Sequence, residues 1–290
     1  MTSPPPSPGP HPDGPHPDGA PSDGPPPDGA PSGDSATFIG NATVLLRLGR
    51  FTVLTDPNFI GAGQYAYLGK GLVTRRLRDP AMRIADLPAL DAVVLSHLHG
   101  DHFDRVARRD LSRAAPVLTT PASARRLDRW GFTTAALTTW QSERLVLGEE
   151  TLTVEALPGT HARGAMRALL PPVMGTLLEH RVGDGPPKRV YLSGDTLTGD
   201  HLDEIGRRHP EIDVAFVHLG GTRVLMRTVT MDADQGVDLL RRVRPRRVVP
   251  VHYDDYTRFA SGLADFEDAA RRAGFADRVD VVERGHTVPL

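Results

Sequence analysis

The sequence predicts an α/β fold in which mixed β-sheets are covered by helices. From Ser35 onward, short apolar runs rich in valine and leucine are separated by turn residues, and later runs alternate with helical segments. The first three runs follow one another so closely that they must pair antiparallel, whereas strand–helix–strand alternation produces parallel pairing. Both kinds of pairing in one chain give mixed sheets.

The elements are predicted in order along the chain. Gly49-Arg50 joins the second strand to the third as a hairpin, and Gly131 stops the first long helix. Strands are predicted at 36–40, 42–49, 51–57, 91–96, 116–120, 143–148, 151–158, 174–182, 188–195, 213–220, 246–252 and 277–283. Helices are predicted at 122–130, 201–208, 232–242 and 259–273.

The N-terminal segment has a different composition from the rest of the 290 residues. Residues 1–34 repeat a Pro-Asp-Gly theme and carry almost no apolar side chain. We expect a disordered Pro/Gly/Asp-rich tail, because such a segment cannot bury enough apolar surface to offset its chain entropy. His11 and His16 would bind metal loosely there or belong to a solvated linker. Residues 35–290 suit one large domain.

Composition excludes several classes of function. Thirty-four basic and 36 acidic side chains leave a net charge of −2, which gives no broad field to attract nucleic acid or an anionic membrane. Because there is no cysteine, a metal must be held by nitrogen and oxygen. No apolar run approaches the ~20 residues of a spanning helix. The N-terminus lacks the features of a secretory signal, so we expect a cytoplasmic location.

The strongest functional signal is His97-Leu-His99-Gly-Asp101-His102, directly after the predicted strand that ends near Leu95. Alternate side chains of an extended segment share a face, so the first two histidines and the aspartate converge. The turn into the next helix redirects His102. Two imidazoles then serve one metal ion, and the Asp–His pair serves a second. Such a cluster arises by chance in roughly one random chain in several hundred.

Three further candidate ligands follow later predicted strands. They are His161, Asp195 and His252, and a sheet can aim such residues at a common point. Each one alone would be a surface residue more often than a ligand, but the three in this order indicate a shared site. His218 also ends a predicted strand and is expected near the site without being a ligand.

The histidine–aspartate segment and the three later residues resemble the metallo-β-lactamase superfamily across nearly all of residues 35–290. The segments FIGNATVLLRLGRFTVLTDP, DLPALDAVVLSHLHGDHFD, SGDT and VVPVHY are similar to one branch of it. That branch contains N-acylphosphatidylethanolamine-hydrolysing phospholipase D and ascorbate-6-phosphate lactonase-like proteins. The resemblance implies a four-layer αββα sandwich, with two mixed sheets flanked by helices.

The resemblance also implies a dinuclear metal site. The first ion would bind His97, His99 and His161, the second would bind Asp101, His102 and His252, and Asp195 would bridge both. We expect two divalent ions, with Zn²⁺ preferred and Mn²⁺ or Fe²⁺ as alternatives. A bridging hydroxide would attack the substrate, so Asp101 and Asp195 are the predicted catalytic carboxylates. Asp101 would orient the hydroxide or move its proton.

Two aspartates and one departure from the family pattern concern the surroundings of the site. Asp56 and Asp104 resemble outer aspartates that orient ligand imidazoles, although simple turn or helix-start roles explain them equally well. Where the family often has Gly-His-Ala-Thr, Gly40 is followed here by Asn41. A hydrogen bond survives that change, but an imidazole does not.

The substrate is the least determined feature. Residues 58–87 are too long for a tight connection and would form a pocket wall carrying Tyr65 and Tyr67. The RRLR run at 75–78 would grip a phosphate or form a solvated basic face. The stretch GAMRALLPPVMG at 164–175 would line an acyl channel or belong to the core.

We therefore predict a dinuclear-metal-dependent hydrolase that acts on a phosphodiester or an ester or lactone, with a small-molecule or lipid-like substrate. A β-lactamase is disfavoured because a familiar zinc class uses a cysteine ligand. A nuclease is disfavoured because no nucleic-acid-binding region is evident. The alternative class is an iron-dependent oxygenase or another non-hydrolytic module on the same fold, and the identity of the metal distinguishes the two.

Overall fold

The computed structural model describes residues 33–164, 170–224 and 227–290. The strands are β1 (Ser35–Gly40), β2 (Thr43–Leu48), β3 (Phe51–Thr55), β4 (Tyr65–Gly69), β5 (Leu72–Arg75), β6 (Ala92–Leu95), β7 (Val117–Thr119), β8 (Thr134–Ala136), β9 (Ser142–Leu147), β10 (Glu150–Pro158), β11 (Met174–Val182), β12 (Lys188–Leu192), β13 (Val214–His218), β14 (Arg223–Val224), β15 (Arg227–Thr228), β16 (Arg247–Val251) and β17 (Thr287–Pro289). The α-helices are α1 (Arg105–Asp110), α2 (Pro121–Asp128), α3 (Asp200–Arg208), α4 (Ala233–Val243) and α5 (Leu263–Arg272).

The first large sheet has the strand order β17-β1-β2-β3-β6-β7-β8. Its first half is antiparallel, because β17, β1, β2 and β3 are paired in that sense. The predicted hairpin at Gly49-Arg50 is confirmed, and Gly49 adopts φ 54°, which a two-residue hairpin turn requires. The other half, from β3 to β8, is parallel.

The second large sheet has the order β16-β13-β12-β11-β10-β9 and is also mixed. The strands β9 to β12 form an antiparallel meander, whereas β12, β13 and β16 are parallel. The parallel strands are joined through α3 and α4, as the alternating pattern of the sequence predicts. In both sheets, therefore, one half is antiparallel and the other half is parallel.

Three apolar clusters define the layers. The largest lies between the two sheets and contains Leu46 and Val94 from one sheet and Leu178 and Phe216 from the other. A second cluster packs α3, α4 and α5 against the outer face of the second sheet. A third packs α1 and α2 against the outer face of the first sheet. The order helix, sheet, sheet, helix confirms the predicted four-layer αββα sandwich.

The predicted strand at 277–283 is wrong. Residues 276–278 form a short 3₁₀ turn, and Val279 makes one isolated parallel bridge to Val248 of β16. The apolar alternation exists, but Val281 is 43% exposed, and the contact with β16 is a single bridge that does not extend into a ladder. The last helix starts at Leu263 instead of 259, because the backbone N–H groups at 260 and 261 donate to Gly220 O.

Residues 58–87, expected as a pocket wall, contain the antiparallel hairpin β4–β5, which the sequence analysis did not predict. Of the predicted tail, residues 1–32 lie outside the described part of the chain. Asp34 lies inside it and accepts the backbone N–H of Gly49 and of Leu290.

A separate question is whether any helix crosses a bilayer. No helix in the described part of the chain is long and apolar enough to do so.

Candidate metal centre

The predicted ligands lie at the carboxyl ends of strands from both large sheets. The histidine–aspartate segment begins two residues after β6 ends. In the second sheet, His161 follows β10, Asp195 follows β12 and His252 follows β16. Because the parallel strands direct their carboxyl ends to the same edge, side chains that are 155 positions apart in sequence meet at one point. The structure brings all seven predicted ligands together.

The first triad consists of His97, His99 and His161. His97 Nε2 lies 2.9 Å from His99 Nδ1, which lies 3.3 Å from His161 Nε2. The opposite ring nitrogen is fixed in two of them, since His161 Nδ1 donates to Val229 O at 2.8 Å and His97 Nδ1 lies 3.1 Å from Ser96 Oγ. Each of these contacts sets a tautomer that leaves Nε2 available to a cation.

The second triad consists of Asp101, His102 and His252. The ligand atoms lie within 4.8 Å of one another, and His252 Nε2 is 3.6 Å from Asp101 Oδ2. His252 Nδ1 donates to Leu219 O at 3.1 Å, so its Nε2 carries the free lone pair. This triad differs from the first in containing a carboxylate.

Asp195 lies between the two triads. Its Oδ2 atom is 3.2 Å from His102 Nε2 and 3.9 Å from His97 Nε2. Its Oδ1 atom is 3.7 Å from His252 Nδ1. The side chain is almost completely buried, so its charge interacts with the imidazoles through protein instead of water.

The donor set fits a pair of divalent cations. Within the described chain, Asp101 Oδ1, His102 Nε2, Asp195 Oδ1 and His252 Nε2 are buried polar atoms without a hydrogen-bond partner. Leaving such an atom unsatisfied costs about 1–3 kcal/mol, and native proteins rarely collect four at one point. Lone pairs of imidazole and carboxylate are the ligands that zinc, manganese and iron share.

The imidazoles of the first triad stay neutral to low pH. Burial lowers the pKa of His97 well below its ordinary value, and neighbouring imidazoles lower it further. Burial, together with His161, lowers the pKa of His99 to about 3. Burial also lowers the pKa of His161. These rings therefore present lone pairs to a cation without first losing a proton.

The second triad has the opposite electrostatic character. Burial opposes the charge on His102, but Asp195, Asp56 and Asp101 outweigh it and raise the pKa of His102 well above the ordinary value. Burial is likewise outweighed at His252, whose pKa Asp195 raises. The histidine charges in turn outweigh burial at Asp195 and lower its pKa well below normal. Without a metal, the second triad therefore favours protonated histidines paired with ionised aspartates.

Asp56 orients His102, as one of the two interpretations of the sequence requires. Its Oδ2 atom accepts from His102 Nδ1 at 2.9 Å, and its carboxylate also accepts the backbone N–H and the hydroxyl of Ser96. Burial raises the pKa of Asp56, but His102 outweighs it and brings the value to about 2. His218 Nε2 lies 3.4 Å from the same oxygen, so His218 belongs to the surroundings of the site.

Asp104 does not touch a ligand imidazole. It is the N-cap of α1 and accepts the backbone N–H groups of Val106 and Ala107. Its other oxygen accepts the backbone N–H groups of Phe59 and Ile60, which anchors the segment after β3. Of the two roles considered for Asp104, the structure therefore shows the helix-start role.

Asn41 occupies the position where the family often has histidine. Its side-chain Nδ2 donates to the backbone carbonyl of Asp101 at 2.7 Å, and its backbone carbonyl accepts the backbone N–H of His252 at 2.9 Å. Its own N–H donates to Asp255 at 2.6 Å. Asn41 thus ties together the backbones of two members of the second triad. The sequence analysis did not assign it this role.

The RRLR run is neither a phosphate grip nor a uniformly solvated face. Arg76 is completely buried and binds Asp255 at 3.3 Å, as well as the carbonyls of Asn58 and Ile60. Arg78 is exposed and pairs with Asp254. Asp255 was not predicted, although the acidic pair that follows His252 and Tyr253 in VHYDD marks its position.

Backbone strain is concentrated at the site. Asn41, Asp56 and His252 have φ values of 53°, 34° and 62°, a region that non-glycine residues rarely adopt. Such a conformation typically costs about 1–3 kcal/mol per residue, so the surrounding hydrogen bonds must hold these residues in it. Gly100, inside the histidine–aspartate segment, is required for another reason. A Cβ there would lie 2.7 Å from the backbone N and O of Tyr67 in β4.

A small pocket covers the centre. Its volume is about 20 Å³, and Leu68 and Leu72 of the hairpin β4–β5 line it beside His99 and Asp101. Leu170, from the stretch predicted as acyl channel or core, lines it too. Val173 and Met174 of that stretch are buried in the core, and residues 165–169 lie outside the described residues.

The comparisons with known proteins agree with this geometry. The family model described as beta-lactamase superfamily domain matches residues 52–253, which is more than half of the chain. The chain belongs to this superfamily. All seven predicted ligands lie inside the matched range. Its architecture is the metallo-β-lactamase fold.

The individual proteins that match the chain share less than 30% of its sequence. An N-acyl-phosphatidylethanolamine-hydrolyzing phospholipase D of Caenorhabditis elegans is 28% identical over 246 residues, covering 78% of this chain and 65% of that protein. The chain thus spans slightly less than two thirds of that relative. The UPF0173 protein YddR of Bacillus subtilis is 25% identical, covering 87% of this chain and 98% of that protein. A possible metal-dependent hydrolase from Veillonella parvula has a TM-score of 0.75 at 23% identity, covering 88% and 99%.

Proposed function

We propose that this superfamily member is a dinuclear hydrolase that cleaves a phosphodiester or an ester or lactone. One observation carries the proposal. Asp195 lies between two buried triads, and in the described chain Asp195 Oδ1 and one ligand atom of each member of the second triad have no hydrogen-bond partner. One carboxylate has two oxygens with which to serve two cations, so the seven side chains form one centre for a pair of divalent ions.

The assignment of ligands follows from the available lone pairs. The first ion would be held by His97, His99 and His161, and the second by Asp101, His102 and His252, with Asp195 shared. Bound divalent cations supply Lewis acidity and lower the pKa of water, which makes a serine or cysteine nucleophile unnecessary. The absence of cysteine from the chain agrees with this chemistry.

Asp101 is the residue we assign to the proton of the attacking water. Histidine charges outweigh burial and lower its pKa, so Asp101 is ionised at neutral pH. Its Oδ1 atom has no hydrogen-bond partner in the described chain, and the residue lines the pocket over the centre. It is therefore available to accept a hydrogen bond from water and to orient it toward the substrate.

Supporting residues keep this arrangement fixed. Asp56 and Ser96 hold His102, the carbonyl of Val229 holds His161, and Asn41 holds the backbones of Asp101 and His252. The second coordination layer of a metal site typically changes affinity or activity by 10–100-fold. In this proposal, these contacts would hold the candidate ligands in position for the two ions.

The comparisons support the substrate class only at a coarse level. The Caenorhabditis elegans relative is a phospholipase D, which cleaves a phosphodiester, and its resemblance supports phosphodiester chemistry here. The lactone alternative comes from the resemblance of the sequence to lactonase-like proteins. A small-molecule or lipid-like substrate suits both.

The experiment combines metal analysis with a substrate screen. Protein purified without chelator should contain about two divalent ions per chain, with zinc preferred. It should hydrolyse members of one class among bis-p-nitrophenyl phosphate, lactones and N-acyl phospholipids. Oxygen consumption is measured in parallel, since an iron-loaded centre that consumes oxygen and hydrolyses nothing would contradict the proposal. A protein without bound metal would contradict it as well.

A further inference from the structure

A groove next to the metal centre has no role in the chemistry described so far. It has a volume of about 260 Å³ and lies between the hairpin β4–β5 and the helices α1 and α2. Aromatic and cationic side chains line it, namely Tyr65, Tyr67, Trp130, Arg105, Arg108 and Arg126. His99 lines both this groove and the pocket over the metal centre, so the two cavities are immediate neighbours.

Among the residues that the structure describes, the three arginines of the groove have no acidic partner. Within the described residues, Arg105 binds the neutral oxygens of Gln64 and Tyr65, at 2.7 and 3.2 Å. The guanidinium groups of Arg108 and Arg126 lie over Trp130, 4.3 and 5.1 Å from the ring centroid, and neither makes a hydrogen bond there. Arg109, which is also exposed on α1, does have an acidic partner, Asp110.

The only acidic residue that lines the groove in the described structure does not neutralise them. Asp104 directs its carboxylate to the backbone N–H groups of α1 and of residues 59 and 60. Arg108 and Arg126 lie in the last turns of their helices, where cations favour the helix dipole. That effect explains an arginine at each position, but not why both guanidinium groups share one indole ring despite their mutual repulsion.

The wall of the groove is held firmly. Gly100 N donates to Tyr67 O at 2.9 Å, which fixes β4 against the histidine–aspartate segment. The outer face of the hairpin leaves Tyr65 and Tyr67 more than half exposed, at 59% and 57%. Exposed aromatic rings beside free guanidinium groups form a surface that contacts an organic group and an attached anion together.

We propose that the groove binds a phosphate-class oxyanion of the substrate while the reacting bond enters the pocket over the metals. This inference rests on the proposed hydrolase function. Guanidinium groups match the geometry of phosphate oxygens and bind them bidentately. Because the pocket itself holds only about 20 Å³, the rest of the substrate must be recognised outside it, and the groove adjoins it through His99.

The first test measures binding by the change in Trp130 fluorescence in the metal-loaded full chain. Trp140→Phe removes the other tryptophan, which packs against Arg208 elsewhere. Inorganic phosphate, glycerol 3-phosphate and phosphatidylcholine vesicles with phosphatidic acid are titrated separately. The double variant Arg108→Gln/Arg126→Gln should weaken binding of the effective probe at least about tenfold, the equivalent of about 1.4 kcal/mol. Arg125→Gln, exposed on α2 and outside the groove, should bind like the parent.

The probes also separate the two sources of phosphate. A response to the soluble anions indicates a small-molecule substrate, and a response to the vesicles alone indicates a lipid headgroup. Either supports the proposal if the double variant loses it and Arg125→Gln does not. Equal affinity of the parent and the double variant, or no fluorescence response to any probe, overturns it.

The second test measures turnover of two matched esters, one carrying a phosphate monoester tail and one uncharged. The double variant should raise KM for the anionic ester about tenfold and leave kcat for that ester unchanged. For the uncharged ester, both KM and kcat should stay as in the parent. An equal loss for both esters would overturn the inference, because it would indicate a general effect on the fold or the chemistry. If the metal-loaded parent hydrolyses neither these esters nor any phosphodiester, lactone or phospholipid of the screen, yet binds phosphate through the groove, the proposed function fails while the anion site stands.

Discussion

The two triads of the metal centre are built from similar side chains but in different electrostatic states. In the first triad, burial keeps three imidazoles neutral, and His99 has a pKa of about 3. In the second, Asp195, Asp56 and Asp101 outweigh burial and raise the pKa of His102 well above normal. Both sets of imidazoles are buried, so the neighbouring carboxylates account for the protonated histidine in the second triad. A metal that enters the second triad must displace protons, whereas one that enters the first does not.

The largest effect is expected at the residue shared by both triads. Asp195→Ala should lower turnover on the order of 10³-fold, because neither cation keeps its common carboxylate. Hydrolysis of the substrate found in the screen and circular dichroism are the measurements, the latter to show that the fold persists. Normal turnover in a folded variant would remove Asp195 from the centre.

Single-ligand variants test whether the triads are separate sites. His161→Ala should remove the ion of the first triad and His252→Ala the ion of the second, so each variant should retain about one ion per chain. Metal analysis after removal of excess ions measures this. If either variant retained two tightly bound ions, the division into two triads would be wrong.

The two aspartates of the surroundings form a matched pair. Asp56→Ala frees His102 Nδ1, so metal affinity or activity should fall 10–100-fold. Asp104→Ala removes an N-cap and leaves the N–H groups of Phe59 and Ile60 unpaired, which should cost about 3 kcal/mol of unfolding free energy. Metal titration and urea unfolding measure the two effects. Equal losses of metal affinity in both variants would contradict the distinction.

The electrostatic contrast itself is tested in chelated protein. His99 has a lower pKa folded than unfolded, so the unfolded chain binds more protons and stability falls as the pH falls below 6.5. Between pH 6.5 and 5 this amounts to about 2 kcal/mol, which His99→Gln should abolish. His102 has a raised pKa, so its contribution is complete below 6.5 and is lost as the pH rises through the folded value.

His102→Gln should therefore destabilise the chelated protein most at low pH and progressively less toward alkaline pH. Urea unfolding of the two variants and the parent at pH 5, 7 and 9 provides the comparison. The same direction of pH dependence in both variants would show that the triads do not differ as described.

The smallest effect is expected at the N-terminus. Deletion of residues 1–32 should leave the melting temperature nearly unchanged, because their composition provides almost nothing to bury. The deletion stops before Asp34, which accepts two backbone hydrogen bonds in the domain. Calorimetry of the two proteins checks this, and a drop of several degrees would show that the segment packs on the domain.

The sequence predicts the sheets and the metal centre for a physical reason. Strand periodicity is local, and the ligands directly follow strands, so His97 and His252 could be placed at sheet ends from the pattern alone. The hairpin β4–β5 was not predicted, because its exposed positions carry tyrosines and the run therefore shows no alternation of polar and apolar residues. The buried pair of Arg76 and Asp255 was not predicted because its members are 179 positions apart and charged residues usually indicate a surface.

The pairing of β1 with β17 has a practical consequence. Leu290 N donates to Asp34 O at 3.0 Å, so the two ends of the sandwich are adjacent on one edge strand pair. In a variant limited to residues 33–290, a short glycine linker from residue 290 to residue 33 would close the ring, and new termini could be opened in the exposed turn near residue 184. Circular permutants of this kind would move the chain ends to the other large sheet and leave the seven candidate ligands at their positions in the fold, which offers an attachment point for immobilising the protein.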